Sequence, residues 1–162
     1  MILTHRERET IFTTWLSNVE TRMTYLVATD GTAEGTAAVE YCAHHAAAMD
    51  ESLEIVHVAT PETRLERGRF VLEDDETNVS AAEELLSAAR ETAESTAGED
   101  IPVETTLLAG VPATEIVTHA AETGASAIYV GHRTLSADHQ RVVGSVAKTV
   151  LEKATVPVTV VR

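Results

Sequence analysis

Short apolar runs and longer stretches of helical spacing take turns along this chain. Residues 25–29, 53–59, 102–108, 127–130 and 157–162 are runs of four to seven residues rich in Val, Ile, Leu and Thr, which predicts five strands. Between them, residues 32–49, 79–97, 113–123 and a stretch beginning at Gly144-Ser145 carry apolar residues at helical intervals. In the first helix Ala33, Ala37, Tyr41 and Ala48, with Ala38 and Cys42, are expected to face a sheet. In the second, Val79, Ala82, Leu85, Leu86, Ala89 and Ala93 share one side, and Gly98 is the stop. Ile116, Val117 and Ala120 point inward from the third, which ends at Gly124. Ser145 is expected to cap the last, with Ala147, Val150, Leu151 and Ala154 on its inner stripe. Strands alternating with helices imply parallel pairing through right-handed crossovers, and a sheet covered on both faces. The prediction is an α/β chain, a single doubly wound domain with a five-stranded parallel sheet.

Two stretches escape this rhythm. Residues 60–78 show no clear period and hold Pro61, three arginines and the acidic run from Glu73 to Glu76. A connection of that length is expected to be a functional lid or a mobile loop, its acids a solvated face. In residues 1–22, Ile11, Phe12, Trp15, Leu16 and Val19 fall at the spacing of one amphipathic helix. Two readings of this extension stand: a segment that docks on the domain or on a partner, and a start codon taken too early, with the domain proper at 23–162.

Charge narrows the classes. The net charge is −14, from 26 acids against 12 basic residues, of which only Lys148 and Lys153 are lysines. Such a surface repels nucleic acid and anionic membranes, so neither is expected as a partner. Abundant carboxylates with few lysines suit concentrated salt, where screening shortens to ~3 Å. The expectation is a salt-accumulating, halophilic source. Stability that rises from low to molar KCl is the matching result, and no gain with salt would remove the reading. No apolar run is long enough to span a bilayer, and the N-terminus lacks a signal-peptide core, so a cytoplasmic location is expected. The single cysteine, Cys42, reads as a small apolar filler in its helix. His44 and His45 are helix neighbours that point in different directions, which argues against a shared metal.

The chemistry gathers in residues 127–148, where a strand breaks at Gly131, crosses a polar loop and restarts as a helix at Gly144-Ser145. A helix N-terminus offers free N–H groups and a favourable dipole to an anion. Arg133 and Arg141, with His132 and His139, face one acid, Asp138, in this loop. Either arginine can pair with a phosphate, bidentately where geometry allows. The absence of a Walker A motif, and of G-x-G-x-x-G after any strand, speaks against a P-loop NTPase or a dinucleotide oxidoreductase.

The same residues resemble the signature of the universal stress protein family, Gly-x-x-Gly-(nine residues)-Gly-Ser/Thr. Gly131 stands first, Gly144-Ser145 last with the spacing kept, and Thr134 replaces the middle glycine. The resemblance runs from about Met23 to Arg162 and implies the sheet order 3-2-1-4-5. The strand order then reverses between Asp30 and Gly131, where open α/β sheets bind ligands. It further implies that ATP, or AMP, lies in that crevice. Asp30 would stand at the nucleotide, Val58 at the adenine, Val130 and Val146 as apolar walls, and Gly131, Gly144 and Ser145 along the phosphates. Mg²⁺ would travel with those phosphates. Gly131 and Gly144 are expected where the backbone approaches closely or takes a positive φ. A β-branched Thr134 at such a place carries ~1–3 kcal/mol of strain. The reading is therefore a stress-response regulator that binds adenine nucleotide and hydrolyses it slowly at most, since nothing is clearly poised to orient water. The alternative is a dimeric stress-response interaction module that binds no nucleotide because of Thr134. In either case the resemblance implies a homodimer through the last strand, at Val158, Thr159 and Val160.

Overall fold

The computed structural model describes residues 22–60, 63–66, 69–72, 75–98, 100–132 and 143–162. The expected strands appear as β1 (Thr24–Ala28), β2 (Ser52–Ala59), β5 (Val103–Ala109), β6 (Ala127–Gly131) and β7 (Val158–Val161). All neighbours pair in parallel, in the order β5-β2-β1-β6-β7. Counting only these five in chain order, this is the predicted 3-2-1-4-5. The helices are α1 (Ala33–Met49), α2 (Asp75–Ala97), α3 (Pro112–Thr123) and α4 (Ser145–Lys153).

Alternation along each strand sorts the core into two layers, because successive side chains leave a strand on opposite faces. Tyr25, Val27, Leu53, Ile55 and Tyr129 meet α1 and α2 on one face. Leu26, Val56, Ile128 and Val130 meet α3 and α4 on the other. Cys42 is fully buried in the first layer, and burial pushes its thiol up, as it does the Tyr129 phenol. Both stay protonated at neutral pH, and the cysteine is the apolar filler its sequence context suggested.

Two expectations about the helices need correction. Tyr41 does not face the sheet; it is 52% exposed, and Ala33 and Ala48 are exposed as well. The buried stripe of α1 is Gly35, Ala38, Val39, Cys42, Ala43 and Ala46. Val79 and Leu151 likewise lie on the solvent side of α2 and α4.

Residues 60–78 hold more structure than their lack of period suggested. An antiparallel hairpin forms from β3 (Thr63–Glu66) and β4 (Arg69–Leu72), and α2 begins at Asp75, four residues before the predicted start at Val79. Strands of four residues are too short to declare a period of two.

Glu54 is buried on the α3 face of β2, where His119 Nε2 (2.6 Å) and Thr106 Oγ1 (2.8 Å) both donate to its Oε1. The trio ties α3 to two strands, and a buried carboxylate needs such partners. Among the described residues no helix is long and apolar enough to cross a membrane.

Candidate functional site

The strand order reverses between β1 and β6, and the chain leaves both strands at the same end of the sheet. The two connections therefore diverge and leave a crevice, as the doubly wound topology requires. A cavity of about 470 Å³ occupies it, within the ~300–1,000 Å³ range of small-molecule sites.

The β1 side is built by the turn Thr29-Asp30-Gly31-Thr32. Thr32 N donates to Asp30 Oδ1 (3.0 Å), and so does the Thr32 hydroxyl. Thr32 Oγ1 in turn accepts from Gly35 N (3.2 Å), so Thr32 is the side-chain cap of α1. Gly31 sits at φ +78, a conformation L side chains avoid, and a Cβ there would meet Leu85 of α2 at 2.8 Å. One oxygen of Asp30 is thus spent on the turn, and among the described residues Oδ2 has no hydrogen-bond partner, so it can accept from a ligand hydroxyl.

His57 Nδ1 donates to the Thr29 carbonyl (2.9 Å), fastening the ends of β1 and β2 together beside the cavity. Val58, Val56 and Ile116 form an apolar wall on the α3 side, and Asn78, Ala81 and Leu85 of α2 close the opposite side.

The β6 side ends in Gly131. It does not have a positive φ, and its need is space: a Cβ would stand 2.5 Å from the Glu34 carbonyl oxygen and 3.0 Å from Gly35 N, where α1 begins. Across the crevice α4 opens with Gly144 as its N-cap, at φ −59 and ψ 155, and with no side-chain cap bond. Ser145 is therefore the first helical residue and not the cap, and Gly144 is not in a left-handed conformation. The first-turn N–H groups of an α-helix have no intrahelical acceptor. Here no side chain of the cap takes one, no acid lies in the first turn, and Ser145, Val146 and Ala147 border the cavity. That end is chemically suited to an anion.

Of the residues singled out from sequence, Asp30, Val58, Val130, Gly131, Gly144, Ser145 and Val146 all line this one cavity. Arg133, Thr134 and Arg141 lie outside the described residues, as do Asp138 and His139. His132 is described: it is buried away from the cavity lining, its backbone N–H donates to the Val161 carbonyl (2.7 Å), and among the described residues its Nε2 has no hydrogen-bond partner. Sequence reasoning passed over Thr32, Gly35, His57 and Asn78. Gly35 carried a signal, since a glycine inside a helix costs ~1 kcal/mol against alanine and so marks close packing. A Cβ there would meet Thr29 Oγ1 at 2.7 Å and Asp30 Oδ1 at 2.9 Å. No group of three or more metal-ligating side chains occurs among the described residues.

An open parallel sheet with a cavity at its switch point and a glycine-capped helix N-terminus beside it defines a doubly wound α/β protein with a crevice between β1 and β6. More narrowly, the chain belongs to the universal stress protein family, whose model it matches over residues 22–162. It is 33% identical over 143 residues to universal stress protein YxiE of Bacillus subtilis (strain 168), covering 85% of this chain and 97% of that one. The structure of the universal stress protein from Archaeoglobus fulgidus in complex with dAMP superposes with a TM-score of 0.66 at 28% identity, covering 86% and 98% of the two chains. A universal stress protein in complex with cAMP gives 0.65 at 26%, covering 86% and 96%.

Proposed function

We propose that this protein is a stress-response regulator that binds an adenine nucleotide, ATP or AMP, in the crevice between β1 and β6. The observation that carries the reading is the N-terminus of α4, whose Gly144 cap makes no side-chain bond, opening onto a cavity of about 470 Å³. Two chains of similar fold, each more than a quarter identical, hold cAMP and dAMP, which supports an adenine nucleotide over other anions. In this reading the first-turn N–H groups of α4 receive the phosphates, and Asp30 accepts from a ribose hydroxyl. The base lies against Val58 and Val130, and Arg133 and Arg141 add charge. Mg²⁺ would enter with the phosphates, since Asp30 and Glu34 are too few to hold it alone. The net charge of −14 supports a salt-rich setting.

A second reading has one observation in its favour. Gly131 is already required by the packing of α1, so its presence does not depend on a ligand. A nucleotide-free interaction module, dimeric through the outer edge of β7, is the corresponding alternative, and the edge position of β7 supports dimerisation under both readings.

Titration with a fluorescent ATP analogue, run beside light scattering, separates them. The nucleotide reading expects saturable binding that Thr134→Gly strengthens by about 5- to 100-fold, the gain equal to the ~1–3 kcal/mol of loop strain removed at about 1.4 kcal/mol per decade. A dimer with no affinity for any adenine nucleotide leaves the alternative standing. A monomer removes the β7 interface. Phosphate release no faster than that of a Gly144→Leu variant excludes hydrolysis.

A further inference from the structure

One side-chain amide borders the crevice. Among the described residues that line the cavity, Asn78 alone carries a planar group with both a donor and an acceptor. It heads a stripe on α2: Asn78, Ala81, Ala82 and Leu85, spaced i, i+3, i+4 and i+7, all border the cavity. Leu85 packs against Gly31, whereas Asn78 is exposed. α2 begins at Asp75, so this asparagine stands inside the helix, past the cap position that favours it. Its helix propensity there is below that of the alanines that follow it. The helix itself gains nothing from an amide at this place.

The strand order says which part of a nucleotide would meet it. The ends of β2, β1 and β6 stand side by side, ~5 Å from one to the next. With phosphates at α4, beside β6, and the ribose at Asp30, just beyond β1, the base falls to the end of β2. There Val58 and Ile116 offer apolar surface from one side, and Ala81 from the other. Apolar walls hold any purine and tell none apart, because purines differ in the hydrogen-bonding groups on their edges.

We infer that Asn78 selects adenine over guanine, its amide oxygen accepting from N6 and its amide nitrogen donating to N7. The assignment rests on the adenine-nucleotide reading of the crevice and names the residue that makes it specific. Adenine offers a donor beside an acceptor on that edge, and one amide satisfies both. Guanine offers two acceptors, O6 and N7, so either orientation of the amide sets its oxygen against one of them. A bidentate amide–adenine pair discriminates by about 5- to 150-fold, and water competing at an exposed Asn78 holds it to about 5- to 20-fold.

Isothermal titration calorimetry of the full-length chain with ATP, GTP and 7-deaza-ATP, in which carbon replaces N7, tests the contact. The parent should bind ATP about 5- to 20-fold more tightly than GTP, and 7-deaza-ATP more weakly than ATP. Asn78→Ala replaces an exposed side chain by a better helix former, so the fold is kept. It should weaken ATP by that factor, leave GTP within about twofold, and bind ATP and 7-deaza-ATP alike. A parent that does not separate ATP from 7-deaza-ATP overturns the inference. So does an Asn78→Ala chain that keeps the parent's preference, or one that loses ATP and GTP equally; in all three cases the parent's crevice still binds nucleotide. A parent with no affinity for any of the three ligands overturns the crevice reading itself, and the selection of adenine with it.

Discussion

Gly131→Ala is expected to lower the melting temperature by roughly 5–10 °C, the largest stability effect of any single methyl group added near the crevice. The added Cβ would stand 2.5 Å from the Glu34 carbonyl oxygen, 2.7 Å from its carbon and 3.0 Å from Gly35 N. These are backbone atoms, so no side chain can rotate away. Retreat of α1 is also opposed, because Thr32 caps it and Asp30 holds Thr32. On the strand side, Gly131 is held in register with Val161 of β7. Overpacking a closed contact costs ~1–3 kcal/mol or somewhat more, and a chain of this size loses ~2–4 °C per kcal/mol. Differential scanning calorimetry measures it directly. A melting point within a degree of the parent would show that α1 and β6 do not press together here. The same displacement tilts the Asp30–Thr32 turn, so affinity for nucleotide should fall alongside stability.

The five strands were legible because each is a compact β-branched run bounded by Gly, Pro or Asp, and the alternation with helices left parallel pairing as the natural arrangement. The inner face of α1 was not. Between Ala37 and Ala48 nearly every position is small or apolar, so the periodicity has no phase, and Tyr41 was turned inward on hydrophobicity alone. What sets the phase is tertiary: Gly35 must lie against Thr29 and Asp30, and Ala38, Cys42 and Ala46 follow from it. The crevice was half legible for a related reason. Residues at strand ends and at the start of α4 carry local marks, namely glycines, an aspartate and a break in pattern. Asn78, Ala81 and Leu85 reach the cavity only because of where α2 packs, and nothing in their own neighbourhood announces it. His57 carries no mark of its own in the sequence; its ring bonds the Thr29 carbonyl, a contact invisible until β1 and β2 are paired.

At the other wall of the crevice, Ser145→Asp is expected to move stability and binding in opposite directions. Ser145 is the exposed first residue of α4, and the first turn of that helix has no acid. A carboxylate there meets the positive end of the helix dipole and should stabilise the fold by ~0.3–1 kcal/mol. The same charge would sit where the nucleotide phosphates are proposed to lie. Two unit charges about 4 Å apart repel by ~4 kcal/mol near a protein surface, and solvent relaxation takes part of that. A loss of about 10–100-fold in ATP affinity follows, at 1.4 kcal/mol per decade. Ser145→Asn controls for shape without charge and should keep most of the affinity. Because the variant is expected to melt no lower than the parent, weakened binding cannot be put down to unfolding. Undiminished affinity in Ser145→Asp, measured at low salt where screening is least, would take the phosphates away from α4 and with them the assignment of the crevice.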